Sequence, residues 1–488
     1  MAGLAIGWSI VFSVACGGDD APASPDAPSP DAASPDAPPP DPNEGAVNGS
    51  RIKLRWYTTP DGLKTFKELF DSERNEVCSA QEFSDGKTHC APGAARVVYS
   101  DAGCTQPVGI APSSGCTGAG ASPLPSYFAE RVEMACGTQI SRVFARGSQL
   151  SMTEYHQKLA SGCDPSPTQT GSDQIYALID EVPAAALAVM TKTTPGAAAG
   201  RLAERTWTTT DGLKVPAAVY DTELATECAV TASPTDAAAV TCVPTTASRA
   251  LYRDDMCTQP EAEIATGCST SGFIDVADKP LCRAASHRYY RIGTAVPAQD
   301  PFRLASDCEP STQSAGASYF LPGAEVALPA IARAHGTTGH RLEPIYATLG
   351  ELRVRAGLFD TMKGTECVIQ TDVTTGNTAC LPTAVVGGFY TDASCAPSSA
   401  VDITFVDLGA DSCPALPAPA YALKAIAAQP GACTSVEPHA VLGPHTGALF
   451  QRAFLNCQAL PAIGQIAYDV GPAIPLTDFA ALTITTDP

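Results

Sequence analysis

The sequence is poor in charge, in histidine and in recognisable catalytic motifs. Charged residues make up 17% of its 488 residues, below the quarter that is usual in soluble domains, and only seven residues are histidine. No two cysteines have the C-x-x-C spacing of zinc ribbons or thioredoxin-like sites. The glycine-rich phosphate loop, the Gly-x-Ser-x-Gly elbow and the EF-hand string are also absent. The sequence therefore predicts no catalytic residue, no cofactor and no metal site.

Basic residues are outnumbered by acidic ones. There are 51 Asp and Glu against 30 Lys and Arg, which gives a formal net charge of -21. A surface of this sign repels phosphates and anionic lipid head groups. We therefore expect no nucleic-acid partner and no electrostatic docking to membranes.

Cysteine is abundant, with 19 residues against six methionines. A reducing cytosol would leave most of these thiols without a role, whereas an oxidising compartment would pair them. The composition therefore predicts an exported protein stabilised by disulfides.

The first apolar run, from Leu4 to Ala15, is too short to cross a bilayer, which needs about 20 apolar residues. It suits the apolar core of a signal peptide, so residues 1–15 are predicted to be one. Ser13 and Ala15 before Cys16 resemble the lipobox of bacterial lipoproteins. The resemblance implies that Cys16 is acylated and anchors the chain to a lipid bilayer, with Gly17 favouring the outer membrane. An ordinary cleaved signal is the alternative.

Residues 16–48 are predicted to be the lipidated cysteine followed by a disordered tether. Ser-Pro-Asp-Ala-Pro occurs at positions 24–28 and again at 34–38. Proline removes backbone donors and the aspartates repel one another, so the segment should be extended. A spacer that holds the body away from the lipid is the expected role.

Three copies of one unit make up the rest of the chain, predicted as residues 49–198, 199–338 and 339–488. Near the start of each copy an arginine (Arg51, Arg201, Arg341) begins the repeated stretch, and each copy carries six cysteines. Each also repeats a Cys-x-Pro sequence followed by Tyr-x-Asp before its third cysteine. Agreement at this many spaced positions indicates an internal repeat.

The units are predicted to be all-β. Short alternating runs are separated by Gly, Pro, Asp and Ser clusters, and no long helical period occurs. About eight strands per unit suggest two four-stranded blades each, and hence a six-bladed β-propeller. Three tandem small β domains are the alternative.

The sequence excludes some disulfide pairings but does not determine all of them, because the six cysteines of a unit allow fifteen pairings. The second and third cysteines of each unit are 14, 15 and 15 positions apart, with a strand between them, so they should not pair. The first two flank a turn, which predicts the pairs Cys78–Cys90, Cys228–Cys242 and Cys367–Cys380. Sequential pairing of the remaining cysteines would join Cys104–Cys116, Cys136–Cys163, Cys257–Cys268, Cys282–Cys308, Cys395–Cys413 and Cys433–Cys457.

A few residues could bind ligands. Trp56, Trp207 and Tyr346 are read as core residues, with a repeated sugar-stacking set as the alternative. His335, His340, His439 and His445 have no zinc-helix spacing and are predicted to be solvated loop residues.

With its Ala-Cys-Gly-Gly-Asp start, Pro-Asp-Ala tether and six-cysteine units, the chain resembles uncharacterised cysteine-rich lipoproteins of myxobacterial type. The resemblance implies an outer-membrane lipoprotein facing the periplasm or the cell surface, and it implies no activity. We expect a binding or structural module of the cell envelope with a protein or glycan ligand, and we favour this over an enzyme. The alternative is a secreted hydrolase or lyase with a carboxylate-lined site.

Overall fold

The computed structural model describes part of the chain between residues 45 and 487. The segments left out within this range are 93–94, 112–123, 135–136, 160–161, 165, 171–172, 194–199, 233–238, 266–271, 278–286, 305–307, 315, 337–338, 350–351, 373–374, 408–417, 428–433, 454–455 and 461–464. The predicted signal peptide, the acylated Cys16 and most of the tether lie outside the described residues.

The described chain is almost entirely β-structure, with three single-turn 3-10 helices at Ala184–Ala186, Pro397–Ser399 and Leu476–Asp478. The strands of the first unit are β1 Ile52–Thr58, β2 Lys64–Asp71, β3 Glu76–Glu82, β4 Thr88–Ala91, β5 Arg96–Tyr99, β6 Pro107–Ala111, β7 Tyr127–Met134, β8 Gly137–Leu150, β9 Glu154–Tyr155, β10 Lys158–Leu159, β11 Gly162–Cys163, β12 Thr168–Gln169, β13 Gln174–Val182 and β14 Ala188–Lys192. The strands of the second unit are β15 Leu202–Thr209, β16 Lys214–Asp221, β17 Thr226–Ala232, β18 Ala239–Pro244, β19 Ala247–Arg249, β20 Leu251–Tyr252, β21 Pro260–Ala265, β22 Phe273–Ala277, β23 His287–Val296, β24 Phe302–Leu304, β25 Cys308–Pro310, β26 Ala317–Val326 and β27 Ala330–His335. The strands of the third unit are β28 Leu342–Leu349, β29 Leu352–Asp360, β30 Thr365–Thr371, β31 Thr378–Pro382, β32 Val386–Tyr390, β33 Ala400–Asp407, β34 Tyr421–Ala427, β35 Thr434–Pro444, β36 Phe450–Ala453, β37 Asn456–Ala459, β38 Gln465–Ala473 and β39 Ala480–Thr486.

Each unit contributes its first four strands and its last strand to one closed ring of antiparallel pairing. The ring order is β1–β4, β14–β18, β27–β31 and β39, after which β39 pairs with β1. We call these the ring strands. Closure leaves no unpaired edge in the ring, and this removes the usual template for edge-to-edge aggregation.

Neighbouring units interlock through the hairpin that opens each unit. Leu213, from the β15–β16 turn of the second unit, lies in the buried cluster of the first unit, together with Ile52 and Cys78. Leu63, from the β1–β2 turn of the first unit, lies likewise in the cluster of the third unit. The aspartates of these turns also contact the neighbouring unit. For example, a carboxylate oxygen of Asp211 accepts the backbone N–H of Arg51. The cores of the ring are therefore shared between units.

A buried aspartate stabilises the start of every unit. Asp221 is fully buried and pairs with Arg201, whose guanidinium also donates to the carbonyl of Ala327 just before the last ring strand. The pairs in the other units are Arg51–Asp71 and Arg341–Asp360. One ion pair per unit thus joins the first two ring strands to the chain that enters the fifth.

Between its fourth and fifth ring strands each unit inserts a smaller group of strands, which we call the inserted domain. The inserted domains comprise β5–β13, β19–β26 and β32–β38. In the first, β13, β6, β5, β7 and β8 close into a small ring of their own, whereas the second and third form eight- and seven-stranded sheets. The three copies therefore agree less closely here than among the ring strands.

Six disulfides are present among the described cysteines. The pairs Cys78–Cys90, Cys228–Cys242 and Cys367–Cys380 occur as expected from their flanking turns, each joining the third and fourth ring strands of its unit. All six of these cysteines are buried in the ring cores.

Sequential pairing is wrong for the third and sixth cysteines of every unit, because these two pair with each other. The bonds are Cys104–Cys163, Cys257–Cys308 and Cys395–Cys457, with Cα atoms 5.6, 5.7 and 5.7 Å apart. The reason is a tight turn after Tyr-x-Asp, in which Asp101 accepts the backbone N–H groups of Thr105 and Gln106. This turn holds Cys104 at a φ of +51° and directs it toward a residue 59 positions away. Outside the described residues lie Cys116, Cys136, Cys268, Cys282, Cys413 and Cys433.

The prediction of an all-β protein built from disulfide-stapled units is confirmed. The six-bladed propeller is not, because its blades would be separate four-stranded sheets, whereas the ring strands of all units pair continuously. The tandem alternative does not describe the ring either, since β14 pairs with β15, β27 with β28 and β39 with β1 across units. Nothing in the structure tests the predicted unit boundaries.

The disulfides indicate an oxidising compartment outside the cytoplasm. Within the part of the chain that the structure describes, no helix is both long and apolar enough to cross a membrane.

Candidate functional site

The three aromatic residues that could have formed a repeated stacking set do not occupy equivalent places. Trp56 and Tyr346 are buried, with exposures of 5% and 3%. Trp207 pairs one residue further along its hairpin and corresponds to Tyr57, on the opposite face of the strand. The reading of Trp56 and Tyr346 as core residues therefore agrees with their burial.

The histidines differ in exposure, since His335 is exposed as predicted whereas His439 is buried. His439 is buried on β35, where its ring nitrogens contact the carbonyl of Gly471 and a carboxylate oxygen of Glu437. His335 lies on β27 and its ring packs against Phe359. Both belong to strands rather than loops. Among the described residues no three His, Cys, Asp or Glu side chains are grouped so that they could hold a metal ion.

The copies differ on β6, β21 and β33, the strand of each inserted domain that pairs with the strand ending in the repeated tyrosine. Tyr99, Tyr252 and Tyr390 pair with Pro107, Pro260 and Ala400, which fixes the alignment of these strands. In the same alignment, the first and third positions beyond these residues carry Val108 and Ile110 in the first unit and Val401 and Ile403 in the third. The second unit carries Glu261 and Glu263 there.

In the first unit these positions form an ordinary apolar core. Val108 and Ile110 are 6% and 3% exposed and pack with Val98, Tyr155 and Ile175. Residues two apart on a strand share a face, so both side chains point into the domain. The two glutamates of the second unit therefore occupy positions that are apolar in both other units.

Glu261 has no accessible surface, and only one of its carboxylate oxygens is paired. Arg253 donates to Oε2 at 2.8 Å. The other oxygen, Oε1, has no hydrogen-bond partner among the described residues. An unsatisfied buried carboxylate oxygen is costly, by about 1–3 kcal/mol or more for a charged group.

Glu263 is satisfied within the domain. The hydroxyl of Tyr319, which is 2% exposed, donates to Oε2 of Glu263 at 3.0 Å. Glu263 can therefore add negative charge to the site without offering the unpaired oxygen that Glu261 has.

Arg253 links the buried carboxylate to the surface. Its guanidinium donates to Oε1 of Gln299 at 2.8 Å, and Nε2 of Gln299 donates back to the Arg253 carbonyl at 2.6 Å. The same guanidinium reaches the carbonyl of Pro297 at 3.3 Å. Pro297 and Gln299 lie between β23 and β24, in a connection whose other residues are mostly exposed. We call this contact the Arg253–Gln299 latch.

The electrostatics of the site follow from this burial. Burial raises the pKa of Glu261 above the ordinary glutamate value, the ion pair with Arg253 opposes the rise, and the charge of Glu263 adds to it. Burial also raises the pKa of Tyr319, and its hydrogen bond to Glu263 raises it further. With both glutamates ionised and Arg253 charged, the three groups sum to one negative charge. The arrangement can therefore accept a proton, a cation or a hydrogen-bond donor at Oε1.

Sequence reasoning missed these residues, although a signal was present. Glu261 and Glu263 alternate with apolar residues in Pro260–Ala265, as the polar face of any half-exposed strand would. Only alignment of the three units shows that the other copies place valine and isoleucine there. Burial of polar groups at such positions often marks a functional site.

A comparison with protein-family models shows a match over most of the chain. A family model described as "Family of unknown function (DUF7481)" covers residues 38–479 of the chain. No curated protein and no solved structure matches the sequence.

Proposed function

The chain belongs to that family of unknown function, and we propose that it is a non-catalytic binding module of the cell envelope whose ligand contacts the second inserted domain. The supporting observation is the unpaired, fully buried oxygen of Glu261, at a position that is valine in both other units. A buried charged network is costly to maintain compared with an apolar core. The presence of this network in only one copy is explained if a ligand supplies a hydrogen-bond partner for the free oxygen of Glu261.

The ring supports this function as a scaffold. Its closed pairing and shared cores hold three inserted domains on one body, so one domain can depart from the common core while the other two keep it. Sites built on a rigid framework keep their geometry better than sites on isolated loops.

The variant E261V/E263I tests the proposal, because it gives the second unit the residues of the other two. Purified protein should sediment with isolated peptidoglycan sacculi or with outer-membrane vesicles, and the variant should lose at least tenfold in retained fraction. Glu309→Gln, an exposed glutamate of the same domain, is the matched control and should behave as the unaltered protein. Equal retention of the variant and the unaltered protein, including none for either, would overturn the proposal.

We further propose that the protein is lipid-anchored at Cys16 and resides in the outer membrane, as its N-terminal sequence resembles a lipobox. Cells fed an alkyne-labelled fatty acid should label the unaltered chain. Cys16→Ala should abolish the label and move the protein from the membrane fraction to the soluble fraction. Retained label in that variant would contradict the anchor.

A secreted hydrolase or lyase is the second candidate, because two glutamates on one strand face are the groups that such enzymes use. The same sacculi assay separates the two functions. Time-dependent release of soluble glycan or peptide fragments, lost in E261V/E263I, would show catalysis. Retention without release is expected of the binding module.

A further inference from the structure

The ionisable side chains around Glu261 include two carboxylates but only one cationic group. Three ionisable groups face one another in it: Glu261 on β21, Glu263 on the same strand, and Arg253 in the turn after β20. Tyr319, on β26, supplies a neutral hydroxyl to Glu263. A net negative charge in a buried network is unfavourable unless something positive joins it.

A divalent metal ion fits this site poorly. Calcium takes six to eight oxygen ligands and magnesium demands a near-ideal octahedron. The described residues offer no group of three or more His, Cys, Asp or Glu side chains. Arg253, whose guanidinium lies 2.8 Å from the same carboxylate, would also repel a doubly charged ion.

A single positive charge with N–H donors fits better. Among the described residues, no donor reaches Oε1 of Glu261, and the charge to be balanced is one. A protonated primary amine supplies three donors on a compact ammonium, and charge-assisted hydrogen bonds to a carboxylate are stronger than neutral ones.

We propose that the second inserted domain binds a protonated primary amine, whose ammonium donates to Oε1 of Glu261 beside Arg253. This inference rests on the proposed binding function and names the chemical class of its ligand. The amine reaches the carboxylate when the Arg253–Gln299 latch opens, because Gln299 lies in a connection whose neighbouring residues are exposed, and Arg253 itself is 18% exposed.

The latch predicts how the site changes on binding. Three hydrogen bonds join Arg253 to Gln299 and Pro297, so opening costs these contacts before the amine gains its own. Gln299→Ala removes two of them and leaves Glu261 unchanged. This variant should bind an amine faster, and at least as tightly as the unaltered protein.

Ethylammonium chloride is the probe, added to the full chain at pH 7.5 and followed by calorimetry and by the melting temperature. The unaltered protein and the Glu309→Gln control should show saturable binding and a higher melting temperature. E261V/E263I should show neither, and its far-UV circular dichroism will establish that it folds. Tetramethylammonium chloride, which has the charge but no N–H donor, should have no effect on any of them.

The pH dependence provides a second readout. Because the amine needs ionised Glu261, its affinity should fall about tenfold per pH unit below the pKa of that group. Equal responses to ethylammonium in the unaltered protein and E261V/E263I, or equal responses to both cations, would overturn the inference. Site-dependent retention on sacculi or vesicles without any ethylammonium binding would overturn the inference alone and leave the proposed function standing.

Discussion

The ring strands and the inserted domains of the three units diverge to different degrees. Among the ring strands, each unit repeats a buried Arg–Asp pair and a disulfide between its third and fourth strands. Among the inserted domains, strand number differs, and the apolar pair Val108 and Ile110 becomes Glu261 and Glu263 in the second unit. Every copy must make the same contacts for the ring to close, whereas an inserted domain is less constrained. We therefore expect binding specificity to depend on residues that differ between the inserted domains.

Removing a repeated ring contact should have the largest effect. Asp221→Ala removes a fully buried carboxylate that pairs with Arg201 and accepts two backbone N–H groups, and it leaves Arg201 only its ion pair with the exposed Glu223. Breaking a buried ion pair costs about 3–5 kcal/mol. Urea denaturation should show this loss of unfolding free energy. The exposed Asp255→Ala is the control and should stay within about 0.5 kcal/mol of the unaltered protein. A small effect at Asp221 would mean that the repeated pair does not hold the ring together.

Giving the second inserted domain the core of its siblings should have a smaller effect, of opposite sign. R253S/E261V/E263I replaces the whole network by the residues of the first unit, Ser100, Val108 and Ile110, and should stabilise the protein by about 1–4 kcal/mol at pH 7.5. The same urea experiment measures it. A destabilised variant would show that the glutamates serve the fold rather than a ligand.

Substitution of the ion pairs at the junctions between units should have the smallest effect on the free energy of unfolding. Lys192 pairs with Glu227 at 2.6 Å at the first junction and Arg333 with Glu366 at 2.7 Å at the second. The corresponding positions at the β39–β1 junction hold Ile484 and Val77, which are 41% and 36% exposed.

The ring closes at this junction with apolar residues at these two positions, although Lys64 and Asp487 pair nearby. The Lys192–Glu227 pair should therefore add little at the first junction. Lys192→Ile combined with Glu227→Val should change the unfolding free energy by less than about 1 kcal/mol, as is usual for partly exposed pairs. A loss of several kcal/mol would show that the junctions are not interchangeable.

The sequence was sufficient to predict the structural features that are local and repeated in each unit. Alternating apolar residues identified strands, and cysteines flanking a turn identified the Cys78–Cys90 bond and its counterparts, because short-range geometry alone decides them. It was insufficient for contacts that depend on tertiary folding. The Cys104–Cys163 bond spans 59 residues, and ring closure by β39 and β1 joins the two ends of the body.

The candidate site could have been found only in part. Comparing the units position by position singles out Glu261 and Glu263, but the burial of Glu261 and its pairing with Arg253 emerge only from the folded domain. Trp207 shows the opposite error. The shared residue type suggested equivalence with Trp56, whereas strand register places Trp207 with Tyr57, in agreement with its spacing of six residues from Arg201.

The most direct test is the pH dependence of stability in the unaltered protein compared with Glu261→Gln. Since the pKa of Glu261 is raised in the folded state, the native protein holds this proton more tightly than the unfolded chain does. Lowering the pH from 7.5 through the raised pKa toward 4.5 should therefore stabilise the unaltered protein relative to the variant. A difference in unfolding free energy that stays flat, or that changes in the other direction, would contradict a buried and incompletely paired carboxylate in the second unit.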